Sequence, residues 1–189
     1  MRITGGEWRS RRLLGPGKSM PLRPTPDAMR ERAFAVLGDR VSDARFLDLF
    51  AGTGAVGLEA LSRGARSIVF VDNHRAAARL VRANSESFDL DESRARLIVR
   101  PALKAVHELA AQHDTFDLAW ADPPFESWHE GLDALAAAFE AGLLPAHALT
   151  CLECPSRADV EGSLPPDLEI MRDLAGGASR VVMIEKANT

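Results

Sequence analysis

Cysteine is scarce: two in 189 residues, too few for a disulfide scaffold. Long apolar runs are missing too. The longest stretch, residues 134–144, is broken by Glu140 and is too short to cross a bilayer. The opening residues, Met-Arg-Ile-Thr-Gly-Gly-Glu-Trp, hold no apolar core of a leader, so no signal peptide is expected. There is no internal repeat and no low-complexity segment. Positive charge is outweighed, with 23 Lys and Arg against 27 Asp and Glu, a net charge of −4. Taken alone, that disfavours a nucleic-acid partner. These absences exclude a disulfide-rich secreted protein and a helical membrane protein. They leave a cytoplasmic enzyme or binding protein, of 46% hydrophobic and 26% charged residues, long enough for one domain with a small appendage.

The charge is unevenly placed. Residues 1–24 carry six cations (Arg2, Arg9, Arg11, Arg12, Lys18, Arg23) and one anion, Glu7, a balance of +5; the rest of the chain carries −9. A basic arm on an acidic body can hold phosphates locally; it can equally be a solvated tail. Residues 2–14 read as a short hairpin about Gly5-Gly6, with Trp8 either stacking on a partner or pinning the arm to the body. Residues 15–24 read as loop. Thr25-Pro26-Asp27 reads as a helix start with Thr25 as N-cap. The helix runs to about Leu37, with Met29, Ala33, Phe34 and Leu37 on one face.

From Arg45 short apolar runs at 46–50, 67–71, 96–99, 117–121 and 148–153 alternate with helical stretches near 55–63, 74–88, 102–112 and 129–142. This rhythm predicts an α/β fold with a parallel sheet covered on both faces. The end of the chain, around Gly176-Gly177, reads as an antiparallel hairpin.

Chemistry enters at residues 46–57, Phe-Leu-Asp48-Leu-Phe50-Ala51-Gly52-Thr53-Gly54-Ala-Val-Gly57. A G-x-G-x-x-G lies between a strand and a helix, and Asp72 follows Gly52 by 20 residues, at the end of the next strand. Glycines there permit close backbone approach, and the acid can accept from ribose hydroxyls. Asp48 chooses between nucleotides. A dinucleotide would bring a pyrophosphate over this loop, where a carboxylate is unwelcome. S-adenosylmethionine (AdoMet) brings an ammonium and a sulfonium, which a carboxylate attracts. Asp48-Leu-Phe-Ala-Gly-Thr-Gly54 is similar to the first motif of AdoMet-dependent methyltransferases.

Asp122-Pro123-Pro124-Phe125 follows the fourth strand. Two prolines stiffen the loop and remove two backbone donors. The Asp122 carboxylate and the Pro123 carbonyl can then hold both hydrogens of an exocyclic amine, and Phe125 can stack on its base. A bare turn would have the same composition. Its position downstream of the glycine loop favours the catalytic reading.

Together with Arg2-Ile-Thr-Gly-Gly-Glu-Trp-Arg-Ser-Arg-Arg-Leu13 and residues 23–34, Arg-Pro-Thr-Pro-Asp-Ala-Met-Arg-Glu-Arg-Ala-Phe, these motifs resemble the bacterial RsmD family over nearly the whole chain. Members methylate the 2-amino group of a guanine in small-subunit (16S) ribosomal RNA. The resemblance implies a Rossmann-like seven-stranded AdoMet-methyltransferase sheet with helices on both faces, a C-terminal antiparallel hairpin and a small N-terminal β-hairpin extension. It divides the chain into an RNA-contacting arm, 1–24, and a methyltransferase domain, 25–189. It implies AdoMet as cofactor and an assembled or assembling 30S particle as partner, without metal or membrane. By position, Asp48, Phe50 and Ala51–Gly54 line the methionine end of AdoMet, Asp72 holds the ribose and Asn73 lies beside the adenosine. Residues 122–125 are catalytic. Arg23 and Thr25 lie near the mouth. From charge and spacing, Arg2, Trp8, Arg9, Arg11 and Arg12 of the arm are further candidates to meet the substrate, and Trp128, three residues past Phe125, is a candidate border of the guanine pocket. After the third strand, Arg100-Pro-Ala102-Leu103 replaces the acid that often reads adenine; backbone contacts at Ala102 or Leu103 are expected instead.

Cys151-Leu-Glu-Cys154 lacks a second ligand pair for zinc and lies on a predicted strand, so it reads as core. Trp120 reads as core too. His74, His107, His113 and His129 have no metal spacing. Three other functions fit parts of the pattern: an NAD-dependent oxidoreductase, a non-catalytic RNA-binding assembly factor, and a same-fold methyltransferase acting on DNA adenine or protein glutamine.

Overall fold

Strands at Arg45–Leu49 (β1), Ser67–Val71 (β2), Ala95–Ile98 (β3), Leu118–Ala121 (β4) and Leu149–Pro155 (β5) pair in parallel as the apolar runs predict. The computed structural model describes residues 1–17 and 25–187. Helices α1 (Asp27–Leu37), α2 (Ala55–Ser62), α3 (Arg75–Glu86), α4 (Ala102–Ala111), α5 (Trp128–Glu140) and the short α6 (Val160–Ser163) connect and cover the strands. Strands β6 (Leu168–Gly176) and β7 (Ser179–Lys186) form the terminal hairpin. The sheet order is β3-β2-β1-β4-β5-β7-β6, with β7 antiparallel to both β5 and β6. This is the seven-stranded methyltransferase sheet.

The sheet has a core on each face, so its strands are apolar throughout rather than alternating. On one face Phe46, Ile68, Phe70 and Trp120 pack under α1, α2 and α3. On the other, Leu47, Leu49, Val69 and Val71 pack under α4 and α5. Phe34 anchors α1 by stacking on Phe46 and Trp120, at centroid distances of 6.2 and 6.3 Å. The cysteines fall on opposite faces, Cys151 in the first core and Cys154 in the second, so they cannot pair across β5.

The N-terminal hairpin is reduced to one antiparallel bridge, Arg2 to Arg12, rather than two strands. Backbone bonds still cross it, Ile3 N to Arg11 O (3.0 Å) and Ser10 N to Ile3 O (2.9 Å), and side chains of the body add to them. Glu59 of α2, fully buried, accepts from Thr4 N (2.8 Å), Thr4 Oγ1 (2.7 Å), Gly5 N (2.8 Å), Arg63 Nε (2.8 Å) and Arg30 Nε (3.2 Å). Arg30, also fully buried, donates to the Arg2 carbonyl and to Asp27. Trp8 pins the arm: its N–H donates to Ser62 Oγ (2.9 Å) and its ring lies 4.6 Å from that of Phe88. Ile3 and Leu13 enter the first core. The arm is thus part of the packed body, not an appendage beside it.

Thr25 is not the N-cap of α1. That position belongs to Pro26, with no side-chain cap, because the Thr25 hydroxyl is engaged elsewhere.

Candidate active site

The strand order turns back between β1 and β4, where ligands of open α/β sheets bind beyond the carboxyl ends of the strands. A cavity of about 600 Å³ opens there. The glycine loop forms one wall. Its backbone turns through three left-handed residues, Phe50 (φ 62°), Gly52 (56°) and Gly54 (77°). Phe50 is the costly one, since a non-glycine rarely adopts that region. The turn is held by Ala51 N donating to Val71 O (2.9 Å) and Gly54 N to Ala51 O (2.7 Å). Gly57 is required for contact, not conformation: a Cβ there would sit 2.4 Å from Phe70 Cε1, so α2 could not lie this close to the sheet.

Six carboxylates line the cavity: Asp48, Asp72, Asp122, Glu126, Glu130 and Glu153. Asp72, at the end of β2, accepts from Gly52 N (2.9 Å) and His74 N (2.8 Å). A carboxylate offers about four acceptor positions, so it retains capacity for two hydroxyls. Asp48 on β1 is 1% exposed and accepts from Gly57 N (3.0 Å). Burial pushes its pKa up to about 8; the Gly57 N–H opposes this and Asp72 adds to it. Asp122 is half-buried at the end of β4, and Glu153 on β5 is 3% exposed. Desolvation raises both, and the charge of Glu153 raises Asp122 further. Asp48, Asp122 and Glu153 have no ion-pair partner among the described residues. Acidic side chains without a counter-ion favour a cationic ligand, whose charge stabilises their ionised form.

The opposite wall is the 122–125 elbow. The Pro124 carbonyl is taken by Ser127 N (2.9 Å). Pro123 lines the cavity beside Asp122. Phe125 lines the cavity, and a 3₁₀ turn, Phe125–Ser127, follows it.

Of the residues singled out in the sequence, Asp48, Phe50, Ala51, Gly52, Thr53, Asp72, Asn73, Asp122, Pro123, Pro124, Phe125 and Thr25 line this one cavity. Gly54 stands behind the wall as the residue before α2. Others fall elsewhere. Trp128 is 8% exposed, packs in the second core with its ring tilted against that of His129, and does not line the cavity. Ala102 is buried in that core and Leu103 is 44% exposed on α4; neither lines the cavity. The start of α4 therefore gives the expected adenine contact no support. Arg2, Arg9, Arg11 and Arg12 are exposed on the arm, and Arg11 lies over the Phe88 ring at 3.9 Å. Arg2 and Arg12 border a second, open hollow of about 520 Å³. Arg23 lies outside the described residues. Glu153 escaped the sequence reading. It sits within an apolar run, between two cysteines that read as core, and its one signal is a lone charge inside a strand.

The chain matches the family described as conserved hypothetical protein 95 over residues 1–185. It is 35% identical over 167 residues to the ribosomal RNA small subunit methyltransferase D of Escherichia coli K12, covering 87% of this chain and 78% of the relative. It is 34% identical over 126 residues to the putative rRNA methyltransferase YlbH of Bacillus subtilis 168, covering 67% of each. Among solved structures, the putative methyltransferase yhhF from Escherichia coli superposes with a TM-score of 0.81 at 30% identity, covering 100% of this chain and 99% of that one. The protein belongs to the conserved hypothetical protein 95 family, that of the ribosomal RNA small subunit methyltransferases D.

Proposed function

We propose that the protein transfers a methyl group from AdoMet to the exocyclic 2-amino group of a guanine in 16S ribosomal RNA, within an assembled or assembling 30S particle in the cytoplasm. The observation that carries this reading is the opening of the acceptor-lined 122–125 elbow and the carboxylate-walled glycine loop into one cavity. The relatives support the class, since the Escherichia coli protein is named a ribosomal RNA small subunit methyltransferase. The charge of the site supports AdoMet over a dinucleotide. Asp48 lies buried behind the glycine loop, where a pyrophosphate would meet repulsion and a cationic methionine end meets attraction.

When bound, AdoMet supplies a methyl carbon activated by its sulfonium. Asp48 and the Ala51–Gly54 backbone hold the methionine end. Asp72 accepts from the ribose hydroxyls, and Asn73 lies beside the adenosine. On the substrate side Phe125 stacks against the base. Asp122 and the Pro123 carbonyl each accept one amine hydrogen. This draws the nitrogen towards tetrahedral geometry and turns its lone pair towards the methyl carbon. Catalysis is then positioning and electrostatics. Asp122 takes the proton that the methylated nitrogen no longer holds. A guanine must leave its stack to reach this depth. The exposed arginines of the arm hold the RNA backbone meanwhile.

The test uses labelled AdoMet, the full chain, and 30S particles from a strain lacking this protein, followed by nucleoside identification. The expected product is N2-methylguanosine. Asp122→Ala is expected to lower kcat by about 10² or more while sparing AdoMet affinity. Binding of NAD but not AdoMet, or label appearing in adenine or protein, overturns the reading.

A further inference from the structure

Thr25 Oγ1 lies 3.1 Å from Asp122 Oδ2 and 2.8 Å from Glu153 Oε2. A hydroxyl carries a single hydrogen and can donate to only one of them. The second contact is a hydrogen bond only if the other carboxyl is protonated and donates to Oγ1. The bridge therefore contains two hydrogens: that of Thr25 and one on a carboxyl.

The surroundings fit one shared proton. Glu153 is 3% exposed, and its other neighbour is the Ser179 hydroxyl of β7. Asp48 of β1 adds negative field at Asp122. Glu126 and Glu130 line the outer wall. Among the described residues neither Asp122 nor Glu153 has an ion-pair partner; Arg30 of α1 reaches the Thr25 carbonyl (3.4 Å), and its guanidinium is committed to Glu59, Asp27 and the Arg2 carbonyl. Two carboxyls bridged by one hydroxyl in such a field hold their protons more tightly than free carboxyls do, and burial pushes both in that direction.

We propose that Glu153 is the proton store of the site, taking the proton of Asp122 through the Thr25 hydroxyl when the substrate amine arrives. This rests on the methyl-transfer reading above. In the exchange the Asp122 O–H bond breaks as Thr25 Oγ1 gains that proton, and the original Thr25 O–H bond breaks as Glu153 gains the other. No proton enters or leaves. Asp122 becomes the anion that accepts the amine hydrogen. After methylation an N–H bond breaks and Asp122 takes that proton. With both carboxyls neutral, one proton passes to water through the cavity, on which Asp122 opens, and the pair is reset. Glu153 and Thr25 act through Asp122 and are positioning residues.

The test pairs two measurements on the full chain: a carbon-13 NMR titration of side-chain carboxyls, and the pH dependence of kcat on 30S particles. In the wild type Asp122 and Glu153 are expected to titrate as one coupled pair in two steps. Glu153→Gln should leave Asp122 a single step about one pH unit or more lower. The acid limb of kcat should move with it, and the plateau should fall about tenfold. Thr25→Val should uncouple the pair, and Thr25→Ser should restore both titration and profile. A folded Glu153→Gln protein with Asp122 titrating as in the wild type overturns the proposal. So does equal behaviour of Thr25→Val and Thr25→Ser. A coupled pair in a protein that methylates no particle supports the proton store and overturns the methyl-transfer reading instead.

Discussion

Asp48 is 1% exposed, has no cation beside it among the described residues, and is pushed up to about pKa 8. The folded value lies above the ordinary carboxylate value, so the folded state binds the extra proton. Its stabilising effect is complete below about pH 4 and is lost as pH rises through about 8. Asp48→Asn keeps an oxygen for Gly57 N–H but carries no charge. Its urea midpoint should fall less steeply from about pH 5 to 8.5 than that of the wild type. The same carboxyl should make cofactor binding pH-dependent. A cationic ligand favours the anion, so AdoMet binding near pH 7 should release a proton and tighten as pH approaches 8. Calorimetry in buffers of different ionisation enthalpy reads this; binding without proton release would separate Asp48 from the ligand.

At the scale of elements, the hairpin, α1 and α2 are joined by the Arg30–Glu59 pair, with both side chains fully buried. Removing Glu59 leaves the buried Arg30 guanidinium with only the partly exposed Asp27 as its ion-pair partner. Glu59→Gln should cost about 3 kcal/mol in urea unfolding and loosen Trp8, visible in tryptophan fluorescence. Gly6 offers a gentler cut. It has φ 76°, and a Cβ there would lie 1.9 Å from the Ser62 carbonyl oxygen. Gly6→Ala should lift the arm from α2 while leaving the sheet intact, so RNA affinity should fall and AdoMet affinity should persist. Deleting residues 1–20 is a harsher change than the composition of the arm suggests. It takes Ile3 and Leu13 out of the core and strips three donors from Glu59. The truncated chain is expected to unfold at lower urea than Gly6→Ala.

Over the whole molecule, charge is divided between a basic arm and an acidic remainder. Arg2, Arg9, Arg11 and Arg12 are exposed, and none is in an ion pair among the described residues. Phosphate contacts release counterions, so log affinity for the particle should fall linearly with log salt. Arg9→Ala and Arg12→Ala should each make that slope shallower by about one. Affinity independent of salt would take the arm out of RNA binding.

Pattern and spacing were enough for the layered sheet, its C-terminal hairpin and the two loops that face each other across the cavity. Continuous apolar strands need cover on both faces, and G-x-G-x-x-G with Asp72 needs a strand–turn–helix; both constraints are local or periodic. Tertiary structure alone decided what depends on distant contacts. Thr25 looked like a helix cap because its neighbours suit one, yet Asp122 and Glu153, 97 and 128 residues away, claim its hydroxyl. Trp128 looked available because it follows the catalytic loop, yet the first turn of α5 points it into the core. The arm looked detachable because its charge differs from the rest, yet Glu59 binds it from 55 residues away. Glu153 drew no notice because a lone acid in a strand carries no pattern. Its meaning comes from burial and from the hydroxyl it shares with Asp122, which only the folded chain brings within reach.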